Sequence, residues 1–242
     1  MTGGASGIGE ACVERLAAEG AQVVVLDLAS GVDVSDEAQV VDGVAAAVSE
    51  LGGLDIAILN AGAGGSAPLL DLTTAEWDRI MNVNLRGSFV CLREAAKAMK
   101  ETGGAIVAVT SVSGFLTERT MAHYSASKAG LAQLVRSAAR ELGAYNIRVN
   151  AVAPGTTDTP MFSATDRVPG YRERVTERSA LGRIGTAAEV ADAVVALCTL
   201  DWVTGQILAA DGGVSLFSPI DPTEGRQIEG SQIEGSQIEG RT

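Results

Sequence analysis

The chain is poor in aromatic residues, at 4%, and holds one histidine and three cysteines among 242 residues. So few rings argue against a platform for stacked nucleic-acid bases. Basic residues are also scarce: 18 Lys and Arg stand against 30 Asp and Glu, for a formal charge of −12. No basic cluster is available to neutralise phosphates, which speaks against a nucleic-acid partner. Apolar runs fall short of the roughly 18 residues of a membrane span, and no charged lead with an apolar signal segment opens the chain. The cysteines, Cys12, Cys91 and Cys198, are too scattered for a disulfide framework or a metal site and read as small buried hydrophobes. What remains is the expectation of a soluble cytoplasmic protein, long enough for one sizeable core.

Extended and helical patterns alternate, which predicts a single α/β domain with a doubly wound parallel sheet. Strands are expected at Ala21–Asp27, Leu54–Leu59, Ala105–Thr110, Ile147–Ala151 and Gln206–Ala209. Several are near-continuous aliphatic runs, as suits strands covered on both faces. Helices are expected at Gly7–Glu19, Asp36–Leu51, Ala75–Glu101, Ala122–Leu142 and Ala187–Leu200. The irregular stretch Thr156–Gly185, with one short helix at Gly170–Glu177, reads as a lid over a ligand. The domain is expected to span residues 1–220. Beyond it, at 221–242, QIEG recurs in a low-complexity tail read as disordered, whether a cleavage linker or a natural repeat.

Two constellations carry chemistry. Thr2–Gly9 (TGGASGIG) is a glycine-rich turn opening a helix, and it lets backbone N–H groups approach a pyrophosphate. Such turns also serve plain helix–strand packing. Asp27, which closes the next extended run, strengthens the cofactor reading, because a carboxylate there accepts adenosine ribose hydroxyls. It would repel the extra phosphate of NADP, and no Arg follows at Leu28 or Ala29, so NAD is favoured. The second constellation is Ser111, just past a buried strand, with Tyr124 and Lys128 in YSASK. The four-residue spacing stacks Lys128 one turn from Tyr124. A nearby ammonium is expected to ease loss of the phenol proton, making Tyr124 an acid or base toward an alcohol or carbonyl, with Ser111 donating to the same oxygen. His123 reads as a surface or packing residue. Met121, Met161 and Phe162 are either substrate-pocket lining or plain apolar cover.

Together these motifs resemble a short-chain dehydrogenase/reductase of the single-domain, Rossmann-like type. The matching residues run from Thr2 to Gly213 and include Asn60-Ala61-Gly62, Asn84 in NVNLRG, Pro154-Gly155 and Asp211-Gly212-Gly213. The resemblance implies a catalytic set of Asn84, Ser111, Tyr124 and Lys128, with Asn84 anchoring a proton-relay water and Lys128 on the nicotinamide ribose. It implies an NAD site of Gly3, Ser6, Gly7, Ile8, Gly9, Asp27, Asp33, Val34, Asn60, Ala61, Gly62, Tyr124, Lys128, Pro154, Gly155, Thr157 and Thr159. Asp33 and Val34 would line the adenine pocket, and Thr157 and Thr159 would lie near the carboxamide and phosphates. The implied reaction is hydride transfer between NAD and a secondary alcohol or ketone, with no metal. Dehydration or epimerisation on the same scaffold is a weaker option. The long helices resemble those that pair subunits, so a homodimer or homotetramer is expected.

Two departures from the family pattern matter. The strand that should precede the glycine turn, in mid-sheet, is missing, so an incomplete start is expected. Unpaired ladder groups would cost roughly 1–3 kcal/mol each. Asp27 and Asp33 are also too close for the usual crossover helix and edge strand. A reduced sheet and weakened NAD binding follow as expectations. A catalytically impaired NAD-binding or interaction protein is the alternative function.

Overall fold

The computed structural model describes residues 1–165 and 168–217; the repeat tail lies outside them. The described chain is α/β. Its main sheet has four parallel strands in the order β1 (Ile56–Leu59), β2 (Gly104–Val109), β3 (Ile147–Pro154) and β6 (Ile207–Ala210). The first three are aliphatic runs buried almost throughout, because helices cover both faces. On one face α4 (Ser88–Met99) and α5 (Ala122–Leu142) pack Val90, Met99, Leu131 and Val135 against Ile106 and Val149. On the other, α1 (Gly7–Ala18) and α8 (Ala187–Thr199) pack Cys12, Leu16, Val190 and Val194 against Val107 and Val152. All three cysteines are free and buried.

Between these lie α2 (Glu37–Leu51) and α3 (Thr74–Met81). The expected Ala75–Glu101 helix is interrupted: a π-helical segment, Asn82–Gly87, joins α3 to α4. The lid carries more structure than its single expected helix. A two-residue strand β4 (Thr157–Asp158) pairs with β5 (Gly185–Thr186), flanking α6 (Pro160–Thr165) and α7 (Tyr171–Glu177).

The expected strand at Ala21–Asp27 is not one. The segment is extended, but it joins the sheet through one bridge, Leu26 to Thr2, and Thr2 in turn bridges Leu59. The physical reason is the shortness of its partner. Met1–Gly3 alone stands between this segment and β1, with Leu26 N–H donating to Met1 O, Gly3 N–H to Leu26 O and Thr2 N–H to Ile58 O. A cavity of about 40 Å³ lies beside Met1 and Thr2, walled by Leu26, Ile56, Cys91 and Ala95 among others. The reduced architecture is present elsewhere too. From Leu26 to α2 there is one 3₁₀ turn, Leu28–Ser30, and neither a crossover helix nor an edge strand among the described residues.

Candidate active site

The candidate site lies at the carboxyl ends of the strands, where loops after β1, β2 and β3 meet the glycine turn. Gly3 and Gly7 hold left-handed φ angles of +64° and +56°, which only glycine adopts without strain. Gly9 is needed for closeness: a Cβ there would stand 1.9 Å from the Gly3 carbonyl oxygen. Helix α1 starts after Ser6 with no side-chain cap, so its first-turn N–H groups, Ile8 included, face outward without a side-chain acceptor. Asp27 is brought to the same turn. One carboxylate oxygen accepts from Ala29 N (2.9 Å) and the other from Ala5 N (3.3 Å). The glycine turn and uncapped helix start offer N–H donors suited to a pyrophosphate, and the adjacent carboxylate offers acceptors suited to the ribose hydroxyls of a nicotinamide dinucleotide.

Asn60-Ala61-Gly62 follows β1 and braces this turn. Asn60 Nδ2 donates to Gly3 O at 2.6 Å, and the Asn60 and Ala61 N–H groups donate to Thr2 Oγ1. The Asn60 amide thus holds the turn itself. Gly62 lets two polar groups close in: a Cβ there would lie 3.4 Å from Asn84 Oδ1 and 3.5 Å from Lys128 Nζ. Pro154 ends β3, and Gly155 passes so near Asp211 that a Cβ would meet its Cα at 2.7 Å. Thr157 is buried and donates to Gly155 O, while Thr159 stands against the position a Gly7 Cβ would take, at 3.4 Å. The lid therefore reaches the glycine turn. Asp33 spends its carboxylate on Ser35 N and Oγ, and Val34 is packed into the core with its carbonyl against Gly87.

Ser111 begins a 3₁₀ turn beyond β2, and α5 carries Tyr124 and Lys128 on one face. Lys128 Nζ lies 5.8 Å from the centre of the Tyr124 ring and donates to Val109 O at 2.9 Å. Burial lowers the Lys128 ammonium to about 8. Burial raises the Tyr124 phenol, a hydrogen bond with the Ser111 hydroxyl lowers it, and the Glu118 charge raises it further. This corrects the expectation of an eased phenol proton in the ligand-free chain. Lys128 gives one of its three donors to Val109 O, and desolvation is the largest influence on the phenol.

Asn84 sits in the π segment, fully buried. Its Oδ1 accepts from Ala63 N (2.7 Å), and its Nδ2 donates to Ala63 O and Ser127 Oγ (3.0 Å each). Its side chain ties the loop after β1 to α5. His123 is fully buried, with its Nε2 3.7 Å from Glu76 Oε1, too far for a hydrogen bond. Of the apolar candidates, Phe162 is buried against Tyr171, and Met161 is exposed. Two neighbours of Ser111 escaped the sequence reading. Ser113 is buried in the 3₁₀ turn itself and Glu118 lies on the exposed loop that follows, and no spacing rule marks them. The signal was local: a second hydroxyl two residues on, then a carboxylate before the helix.

Among the described residues no helix is long and apolar enough to cross a membrane, and no cluster could hold a metal. The fold and the site together define a Rossmann-like oxidoreductase scaffold. The chain belongs to the short-chain dehydrogenases/reductases. A family model described as enoyl-(acyl carrier protein) reductase matches residues 29–215. Cis-4-hydroxycyclohexanecarboxylate dehydrogenase of Sinomonas cyclohexanicum is 39% identical, over 88% of this chain and 94% of that protein. The 3-oxoacyl-acyl-carrier-protein reductase of Thermotoga maritima is 37% identical over 88% of this chain and 96% of its own length. The crystal structure of a levodione reductase superposes with a TM-score of 0.84 at 34% identity, covering 89% of this chain and 96% of that one.

Proposed function

We propose that this oxidoreductase interconverts a secondary alcohol and its ketone with NAD. The observation that carries the reading is Tyr124 and Lys128 on one face of α5, with the Lys128 amine over the Tyr124 ring and Ser111 opening the turn beyond β2. When bound, the nicotinamide supplies or accepts the hydride. Tyr124 takes the alcohol proton or returns it to the ketone oxygen, and Ser111 holds that oxygen by a hydrogen bond. Lys128, anchored on Val109 O, keeps further donors for a ribose hydroxyl and favours phenolate once protonated. Asn84 acts as a positioning residue, through Ala63 and Ser127. Asp27 accepts ribose hydroxyls and disfavours a 2′-phosphate. The reading places the enzyme in the cytoplasm, as a self-associating protein acting on a small molecule.

The test follows the absorbance of the reduced nicotinamide over a panel of alcohols and ketones. Hydroxycyclohexanecarboxylate and levodione come first, since relatives bear those names. Tyr124→Phe should lower kcat by on the order of 10²–10⁴-fold; equal rates would refute the assignment. Asp27→Asn should narrow the preference for NAD over NADP in kcat/KM, and an unaltered ratio would remove Asp27 from that role.

A second reading is favoured by the thinly paired Ala21–Val25 segment and the cavity beside it. On that reading the chain binds NAD or a partner without turnover. Thermal stabilisation by NAD with no reaction on any substrate would select it.

A further inference from the structure

The loop after β1 is tied down by hydrogen bonds on both sides of Gly65. Asn84 binds Ala63 N and O, and Arg79 Nη2 donates to Gly64 O at 2.9 Å. Ser66 Oγ lies 2.7 Å from Thr120 Oγ1, and Ala67 N donates to Thr120 O at 2.8 Å. Gly65 rests on side chains instead. A Cβ there would stand 2.5 Å from His123 Nε2 and 2.7 Å from Glu76 Oε1, so the residue points into the gap between them. Its neighbour Gly64 faces the lid, where a Cβ would lie 3.8 Å from Met161. The loop thus runs between the lid and the His123–Glu76 pair. The His123 ring is fully buried, and neither of its nitrogens has a hydrogen-bond partner among the described residues. Glu76 Oε1 stands 3.7 Å from Nε2 and accepts from Arg79 Nη2 at 2.8 Å, which leaves that oxygen a lone pair to spare. A buried polar group without a partner costs stability. An aliphatic side chain of the same size would pack here without that cost, so the imidazole calls for another explanation.

We propose that His123 and Glu76 form a latch behind a substrate-holding loop, with His123 as a positioning residue that acts through Gly64 and Gly65. Substrate between the loop and the lid draws the two glycines toward Met161. Gly65 then leaves the gap, and His123 Nε2–H donates to Glu76 Oε1. The inference rests on the alcohol–ketone reading of the site. Closing the pair from 3.7 Å to a hydrogen bond of about 2.9 Å takes a movement of about 1 Å. The glycine pair leaves the loop backbone free to make it. Arg79 already fixes the Glu76 carboxylate and holds Gly64 O, so the new bond extends a strap from Gly64 O through Arg79 and Glu76 to α5. An ionised acceptor makes that bond one of the stronger kind. No covalent bond changes, and the imidazole keeps its proton. The latch stabilises only the loaded loop, so it tightens substrate binding. Ser111, Tyr124 and Lys128 lie outside the loop, and the hydride and proton transfers are left as they were.

His123→Leu keeps the bulk and removes the donor. It should raise KM for the alcohol by about tenfold, the contribution of one hydrogen bond to a charged acceptor, and leave kcat and the KM for NAD unaltered. Since it also removes two buried nitrogens without partners, it should unfold at no lower denaturant concentration than wild type. His123→Gln keeps a side-chain N–H and should recover most of the lost affinity. A merely structural role would instead lower the folded fraction, and with it kcat, while KM stayed put. The single histidine of the chain gives a direct readout in the wild type. Nuclear magnetic resonance of the nitrogen-labelled ring should show the Nε2–H proton move downfield on meeting the carboxylate. The complex to use holds the alcohol turned over best together with NADH, a pair that cannot react. An unmoved Nε2–H signal in that complex would overturn the latch and leave the alcohol–ketone reading standing. So would an unchanged KM in an active His123→Leu. A wild type without turnover on any alcohol or ketone would overturn that reading, and the latch with it.

Discussion

At the scale of single residues, Lys128 sets function against stability. Its ammonium is buried, so folding disfavours the charged form and lowers its pKa from 10.5 to about 8. The unfolded chain binds that proton more tightly between these two values, so wild-type stability rises as pH climbs from about 8 toward 10.5. Below about 8 the full penalty for a buried charge is present. Lys128→Met removes the charge and also the bond to Val109 O. A shift of this size is worth about 3 kcal/mol, and the lost hydrogen bond returns about 1 kcal/mol of it. The ligand-free variant should therefore be more stable than wild type by about 2 kcal/mol at pH 7. Its advantage should vanish toward the upper end of that range, and turnover should be lost. Denaturant unfolding across this pH range checks it. A variant less stable than wild type at neutral pH would show that the ammonium is better solvated than its surroundings imply.

At the scale of elements, the helices were legible where amphipathic periodicity was long. Ala122–Leu142 has the bounds read from the sequence, and Thr186 caps α8 with Glu189 in a reciprocal capping box. The interruption of Ala75–Glu101 was not legible. The apolar spacing is the same on either side of NVNLRG, and the π segment exists to aim Asn84 inward, a tertiary demand with no local signature. Ala21–Asp27 failed as a strand for the opposite reason. Its composition is right, but a strand is defined by its partner, and only Met1–Gly3 lies alongside. The glycine turn and the Ser111, Tyr124 and Lys128 set were readable because their chemistry fixes residue type and spacing. The hydrogen bonds from Ser111 through Ser113 to Glu118 depend on how a loop folds back. Asn84→Ala tests the π segment. It leaves Ala63 N and O without their partner, while Ser127 Oγ keeps its bond to Tyr124 O, and at roughly 1–3 kcal/mol per group left unpaired this should cost about 2–6 kcal/mol. The loop carrying Gly62 should loosen, and faster amide exchange at Ala61–Ala63 would report it. Unchanged stability and exchange would mean that water replaces the amide.

At the scale of the whole molecule, charge and apolar surface oppose each other. A formal charge of −12 drives copies apart, so any self-association must be carried by a patch where burial outweighs that repulsion. The described surface has such a place. Met81, Leu85, Phe89 and Leu134 line an open hollow of about 380 Å³ along the outer faces of α3, the π segment, α4 and α5. Phe89 is 42% exposed and lies under the Arg93 guanidinium, 5.5 Å from its ring centre. Arg86 and Arg93 both pair with Glu37 of the same chain, so the rim is already neutralised from within. A second copy related by a two-fold axis would bring apolar face to apolar face here, with Arg86, which also lines the hollow, entering the contact already paired with Glu37. Phe89→Glu introduces a carboxylate at the centre of that contact. In the monomer the new side chain faces solvent beside Arg86 and Arg93, so folding should be little affected, within about 0.5 kcal/mol as for an exposed position. Light scattering should then show the wild type as an oligomer and Phe89→Glu as a monomer with unaltered circular dichroism. Raising the salt concentration should strengthen wild-type association by screening the net charge, and should do little for the variant, where a desolvated carboxylate rather than long-range repulsion is the obstacle. Equal masses for the two proteins at every concentration would remove this face from the assembly.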